Sequence, residues 1–296
     1  MEKLLKAVNI TKQYKDTKAL NNVSLTIEPG KIYGLLGRNG TGKTTLLSAL
    51  TSQISVTSGE VTYGGENVWE NEKALSDICF SREINPVTFL GPNNLKVKDY
   101  LNAAKAYLPH WDNDYAEKLV KEFGLEQKKK VSKLSKGMMS MLTIVIAMAS
   151  MAPITMLDEP VAGLDVVARE LFYKLLIEDY TKTNRTFIVS THIIEEAADA
   201  IEEIILMDKG TIMHQGNAVD FINSYWLISG KDTVIDELLP EFEVIRSESM
   251  GRSKSICVKS DYDTAEKICC TYDVDISALS LQKIFVYLTE GEKPVL

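Results

Sequence analysis

Apolar positions along the chain change their spacing several times. LLKAVNITKQY (residues 4–14) alternates loosely, and ALNNVSLTIEPG (19–30) alternates more clearly before a Pro-Gly turn, so both predict strands. KIYGLL (31–36) is a short apolar run with a glycine-rich loop behind it, and TGKTTLLSALTSQ (41–53) reads as a helix. SGEVTYGGENV (58–68) predicts a hairpin turned at Gly64–Gly65, and DICFS (77–81) a further buried strand. From about Asn94 to Ser150 the spacing becomes helical, in VKDYLNAAKAYL and DNDYAEKLVKEFGL, with Gly124 placed to end the second helix. Ser135 to Ser150 is apolar nearly all round, which predicts a buried helix that ends before Pro153.

Strands and helices then alternate. ITMLDEP is a buried strand, VVARELFYKLLIEDYTK an amphipathic helix, RTFIVSTH a strand and IEEAADAI a helix. EIILMDKGTIMHQG is a strand pair turned at Asp208-Lys209-Gly210. This order predicts an α/β fold with a parallel core and an inserted helical subdomain over about 94–150. After about Asn223 the register changes, and EFEVIRSES, RSKSICVKS, DTAEKICCTYD and LQKIFVYLTEG predict a small α+β accessory domain over 224–296.

Composition narrows the function. Apolar residues are 45% and charged residues 25%, the balance of a soluble globular chain. No apolar run approaches the ~18 residues that span a bilayer. The opening MEKLLKAVNI lacks the apolar core of a secretory signal, so a cytosolic location is expected, with any membrane role supplied by a partner. The net charge of -8 argues against nucleic acid as the partner. Cys79, Cys257, Cys269 and Cys270 form no CxxC pair, which fits reduced thiols rather than a zinc site.

The chemistry is concentrated in two places. Gly37-Arg38-Asn39-Gly40-Thr41-Gly42-Lys43-Thr44, followed by Thr45, matches G-x-x-x-x-G-K-[ST] between a strand and a helix. Glycines let backbone N–H groups close on phosphate oxygens, and the new helix turns its positive end to the same anion. Lys43 is expected on the β- and γ-phosphates and Thr44 on Mg²⁺. PITMLDEP ends a buried strand in Asp158, which places a carboxylate beside that metal, and Glu159 follows, placed to polarise an attacking water.

Together these motifs resemble the ATP-binding-cassette (ABC) ATPases from about Leu4 to Asn223. Tyr14 falls where that family stacks an aromatic on adenine. Glu83, in CFSREINP, falls at the Gln-loop position, which adds it to the expected metal-side groups. LSKGM falls at the signature normally written LSGGQ, bringing in Ser135, Lys136, Gly137 and Met138. AGLD gives Asp165 the D-loop place, and STHIIEEA gives His192 the place of the switch histidine. The resemblance implies a P-loop core over 1–223, with an antiparallel β subdomain and the helical insertion. It also implies ATP and Mg²⁺ as ligands, hydrolysis of ATP, and head-to-tail pairing with a second ATPase subunit. Ser135, Gly137 and Asp165 would act across that interface.

The finer likeness is to ATPases of ABC-2-type exporters for peptides or antibiotics, and to a putative acetoin exporter. It rests on YLPHWDNDYAEKLVKEFGL, LSKGMMSMLTIVIAMAS and APITMLDEPVAGLD. It implies polytopic permease subunits that hold the chain at the inner face of the membrane. Phe89, Leu90 and Pro92 then form either a docking surface or a buried corner of the insertion. A soluble ABC ATPase without a transporter and an ATP-gated regulatory module are the alternatives. Glu83 for Gln, Lys136 for Gly, Met138 for Gln and AGLD for SALD depart from the family pattern. None removes Lys43, Asp158, Glu159 or His192, so an active ATPase is expected.

Overall fold

The computed structural model describes residues 3–82, 95–272 and 274–290. The chain divides into two units, residues 1–215 and 216–296. In the first, β1 (Leu5–Tyr14) and β2 (Thr17–Ile27) lead into β3 (Ile32–Leu36) and helix α1 (Lys43–Leu50). Next come β4 (Ser58–Tyr63), β5 (Glu66–Asn67), the short helix α2 (Glu72–Ser76) and β6 (Ile78–Ser81). The helical stretch supplies α3 (Val97–Tyr107), α4 (Asn113–Glu122) and α5 (Lys136–Ala149). Then follow β7 (Ile154–Asp158), α6 (Val166–Thr183), β8 (Thr186–Thr191), α7 (Ile194–Ala197), β9 (Glu203–Asp208) and β10 (Thr211–Asn217).

Two sheets result. One is ordered β2-β1-β4-β5 and is antiparallel in each pairing. The other is ordered β10-β9-β3-β8-β7-β6, and its β9–β3, β3–β8, β8–β7 and β7–β6 pairings are parallel. β3, β7 and β8 are buried at every position, so they read as continuous apolar runs rather than alternating ones. Helix α1 packs on β1, β2 and β7, and its Leu46, Leu47 and Leu50 join a core shared by both sheets. Ile154 and Met156 of β7 belong to that core. Strand side chains alternate, so Asp158 leaves the end of β7 on the same face, toward α1.

The helical stretch is tied to the core below it. Helix α5 packs on β6, β7 and α4 and is buried along Met139–Ala149 except at Met141 and Ile146. Gly124 sits just past the Phe123 cap with φ +62, the left-handed turn that glycine adopts most cheaply. At the end of α5, Arg185 lies fully enclosed. It is paired with Asp179 of α6, and its Nη2 donates to Met148 O at 2.8 Å and its Nη1 to Thr155 Oγ1 at 3.2 Å. One guanidinium thus joins α5, α6, β7 and the start of β8.

The second unit opens with α8 (Ala218–Ile222) and then runs β11 (Tyr225–Lys231), α9 (Asp232–Leu238), β12 (Glu243–Met250) and β13 (Ser253–Lys259). It ends with α10 (Tyr262–Tyr272), β14 (Asp275–Ala278) and α11 (Leu281–Thr289). The sheet order is β12-β13-β11-β14, antiparallel throughout. From β11 to β14 this is the split βαβ pattern, β-α-β-β-α-β. Ile228, Ile235, Leu238, Ile256, Val258 and Cys269 form its core. α11 is fastened back on β12 by the Tyr287 hydroxyl, which donates to Glu248 at 3.1 Å. Burial pushes the Cys257 thiol up to about 12, which keeps it protonated and inert. α8, β11, α9 and β14 are the elements of this unit that periodicity missed. β11 shows no clean alternation of buried and exposed positions, and the others are short.

Replacing Arg185 with Met should remove the only cation facing buried Asp179 among the described residues and cost about 3–5 kcal/mol. Urea unfolding checks this, and a loss under about 1 kcal/mol would contradict the assignment.

Candidate active site

The loop between β3 and α1 closes on backbone rather than on side chains. Gly42 has φ +105, and a Cβ there would lie 2.5 Å from the Ala19 carbonyl oxygen of β2. A Cβ on Gly37 would meet Thr41 Oγ1 at 2.5 Å, whereas Gly40, at φ +82, faces open space. Thr41 secures the loop by donating through N and Oγ1 to Arg38 O, at 3.3 and 2.9 Å. From the other side the Gly210 N–H donates to Thr41 O at 3.0 Å, and Asn21 N to Gly210 O at 2.8 Å. The β9–β10 turn, itself held by β2, therefore clasps the loop.

Lys43 is 6% exposed. Its ammonium donates to Gly37 O at 2.7 Å and lies 3.3 Å from Glu159 Oε1. Next to it, Thr44 Oγ1 donates to Asp158 Oδ2 at 2.6 Å, and Ser190 Oγ of β8 donates to Asp158 Oδ1. Asp158 is buried, and both of its oxygens are satisfied by hydroxyls.

Glu159 turns out of the strand. Its φ is +49, a left-handed conformation that costs a non-glycine residue about 1–3 kcal/mol. Two acceptors hold it there, Ser190 O and Ser190 Oγ, each 3.1 Å from the Glu159 N–H. The turn brings Glu159 Oε2 to 2.7 Å from His192 Nδ1, just past the end of β8. Glu159 Oε1 is buried and, beyond the Lys43 ammonium, makes no hydrogen bond among the described residues.

These groups border a cleft of about 420 Å³ lined by Thr17, Lys18, Ala19, Asn39, Gly40, Gly42, Lys43, Thr44, Thr45, Glu159, Lys209 and Gly210. A larger hollow of about 790 Å³ along Asn67 and Trp69–Lys73 holds none of the motif residues. Tyr14 lies at the end of β1, outside the cleft lining, 47% exposed, with the Lys12 ammonium 5.1 Å from its ring centroid. Glu83, Phe89, Leu90 and Pro92 lie outside the described residues. Ser190, Lys18 and Lys209 are neighbours of the site that sequence reasoning did not single out. A serine inside a strand buried at every position was the one available signal for Ser190.

The signature turn stands apart from this cleft and packs on the D-loop segment. Ser135 caps α5, its Oγ accepting from Met138 N at 3.2 Å. Gly137 lies against Gly163, where a Cβ would be 2.6 Å from the carbonyl oxygen. Ser140 donates to Ala162 O at 2.7 Å, and the Lys136 stem runs over Gly163. Lys129 donates to Met138 Sδ at 3.4 Å. Asp165 caps α6 by accepting from Ala168 N at 2.9 Å. Small residues in AGLD are thus what lets the two segments touch.

The donor set fits a triphosphate and a hard divalent cation. The adjacent Thr44 hydroxyl and Asp158 carboxylate are oxygen donors of the kind Mg²⁺ takes, with phosphate oxygens and waters completing its shell. Among the described residues no three His, Cys, Asp or Glu side chains cluster to form a closed metal cage.

The fold and sequence have known relatives. A family model described as "ABC transporter" matches residues 20–162. The bacitracin transport ATP-binding protein BcrA of Enterococcus faecalis is 32% identical over 228 residues, 75% of this chain and 70% of that protein. The ABC transporter ATP-binding protein YtrB of Bacillus subtilis is 29% identical over 187 residues, 63% of each chain. A dimeric structure of the ATP-binding cassette MJ0796, in a post-hydrolysis state with ADP and Pi, superposes with TM-score 0.61 at 25% identity. It covers 72% of this chain and 98% of that one. The chain belongs to the ATP-binding subunits of ABC transporters, the P-loop cassettes that bind and hydrolyse ATP.

Proposed function

We propose that this ATPase powers an ABC-2-type exporter by pairing head to tail with a second ATPase subunit around bound ATP. One observation carries the reading. Lys43, Thr44, Asp158, Glu159 and His192, drawn from three separate segments, meet at the ends of β3, β7 and β8. That is the carboxyl edge of the parallel sheet, where α/β folds bind ligands.

Phosphate oxygens would draw Lys43 from the Gly37 carbonyl and from Glu159, exchanging one neutral and one singly charged partner for the greater negative charge of the phosphates. Thr44 and Asp158 would hold Mg²⁺, whose charge offsets that of the phosphates. Glu159, freed from Lys43, orients the attacking water, and His192 keeps its carboxylate aimed. The left-handed turn at Glu159 makes this possible, because a regular strand would point it away from Asp158. Tyr14, exposed at the end of β1, would stack on adenine. Arg38 takes part through its carbonyl, while Asn39, Gly40 and Thr45 line the phosphate cleft.

The signature turn lies outside the cleft lining, which supports a role toward another subunit's nucleotide. Ser135, Lys136 and the N–H groups at Gly137 and Met138 open α5, whose positive end favours an anion. Val166 and Val167, beside Asp165, are 63% and 76% exposed, an apolar pair suited to a partner. Among the described residues no helix is long and apolar enough to cross a membrane, and in the proposed exporter permease subunits would supply the membrane-spanning part. Likeness to BcrA, named for bacitracin transport, favours export and attachment at the cytoplasmic face through those subunits.

Glu159→Gln should bind ATP with wild-type affinity, lose turnover by about 100-fold or more, and accumulate as an ATP-bound dimer on sizing. Wild-type turnover would remove Glu159 from its role. Ser135→Arg should abolish turnover yet leave ATP affinity of the isolated chain within about twofold. Retained turnover would reduce the turn to a helix start. Purification from membranes should bring down a polytopic protein, and its absence would favour a soluble ATPase.

A further inference from the structure

Arg169 has no part in the scheme above, yet it touches both halves of it. It lies on α6 one turn beyond Asp165. Its Nε donates to Leu164 O at 3.0 Å, fixing the residue just before Asp165. Its Nη1 donates to Glu196 Oε1 at 2.9 Å. Glu196 sits on α7, which starts two residues after His192, and Ile193 N donates to Thr191 Oγ1 at 3.0 Å where β8 gives way to that helix. One planar fork therefore holds the D-loop and the histidine segment in a fixed relation. A lysine could supply the charge but not the two directions.

The surroundings of this fork carry unspent hydrogen-bonding capacity. Glu196 Oε2 is buried and makes no hydrogen bond among the described residues, and the hydroxyl of Tyr173, one turn beyond Arg169, is buried beside Thr191. Tyr173 is 8% exposed. Burial, then the carboxylates of Glu196 and Glu159, push its ionisation up, so the phenol stays neutral. Tyr173, Glu196 and Glu159 therefore share one electrostatic neighbourhood, with Arg169 as the opposing charge. The Arg169–Glu196 pair is partly exposed, and such pairs add at most about 1 kcal/mol to stability. Its use is thus better sought in geometry than in holding the fold.

We propose that Arg169 is a positioning residue for hydrolysis, coupling the turn that carries Asp165 to the segment that carries His192 through Glu196. The inference rests on the proposed roles of Glu159, His192 and Asp165. A shift of the D-loop on meeting a second copy would pull Leu164 and Arg169 together. Glu196 would follow, and the His192–Glu159 contact would be set by the state of the interface.

The test compares Arg169→Ala, Glu196→Ala, the double variant and Arg169→Lys with wild type and with Glu159→Gln. Arg169→Ala should lower kcat about 10- to 100-fold, the scale of a misplaced catalytic group, and leave ATP affinity within about twofold. Glu196→Ala should match it, and the double variant should be no worse than the weaker single. Arg169→Lys should recover little. Thermal midpoints should stay near wild type, which separates positioning from folding. Wild-type kcat in Arg169→Ala, or additive losses in the double variant, would overturn the coupling while a stalled Glu159→Gln left the underlying reading intact. Turnover in Glu159→Gln would remove that reading and the coupling with it.

Discussion

A carboxylate at the end of a buried strand must find partners, and Asp158 finds two hydroxyls. Thr44 comes from the first turn of the helix behind the phosphate loop, and Ser190 comes from the neighbouring strand. Leaving such a buried group unpaired costs more than either bond returns, so the two hydroxyls are effectively obligatory. Through them the phosphate loop, β7 and β8 are held in one register. Ser190 then does more than pair with Asp158. Its backbone and side-chain oxygens both receive the Glu159 N–H and hold the turn that swings Glu159 toward His192. The site thus depends on one strand end whose polar groups have nowhere else to go.

Lys43 shows how such a site waits for its ligand. The ammonium is buried, and it leans on the Gly37 carbonyl and on Glu159. Glu159 is shared between Lys43 on one oxygen and His192 on the other. Moving the lysine onto phosphate leaves Glu159 with only its histidine. On the proposed roles, the cation that would bind nucleotide also restrains the group that would act on water, so binding and activation would be linked by exchange of one ion pair. The second group of residues, around Ser135, Gly137 and Gly163, is packed with equal care but lies outside the cleft lining. Close backbone approach there makes glycine necessary at Gly137, while the neighbouring Lys136 and Met138 are accommodated by an overlying stem and by Lys129.

Much of this was legible in the sequence. The phosphate loop has a fixed spacing because its job is done by backbone. The parallel strands read as unbroken apolar runs, and the buried helix after Ser135 is apolar on every side. Glu159 was legible by type but not by geometry, since nothing local announces a left-handed glutamate held by a serine 31 residues away. Ser190 and Arg169 were missed for the same reason: their importance lies in contacts distant in sequence. The accessory unit was read as strands and helices without its order. β11 gave no clear alternation, and the other missed elements are short.

The central claim is that each ATP is acted on by two chains, one giving Lys43 and Glu159 and the other giving Ser135. Mixing tests it directly. Lys43→Ala lacks the first half and Ser135→Arg the second, so each alone should be inactive. In a mixed dimer one intact site forms, from the loop of the Ser135→Arg chain and the signature turn of the Lys43→Ala chain. ATPase activity of the mixture should therefore reappear, rising to roughly a quarter of wild type at equal ratio if subunits pair at random and sites act independently. A mixture as inactive as its components, with mixed dimers shown to form, would contradict a site shared between chains.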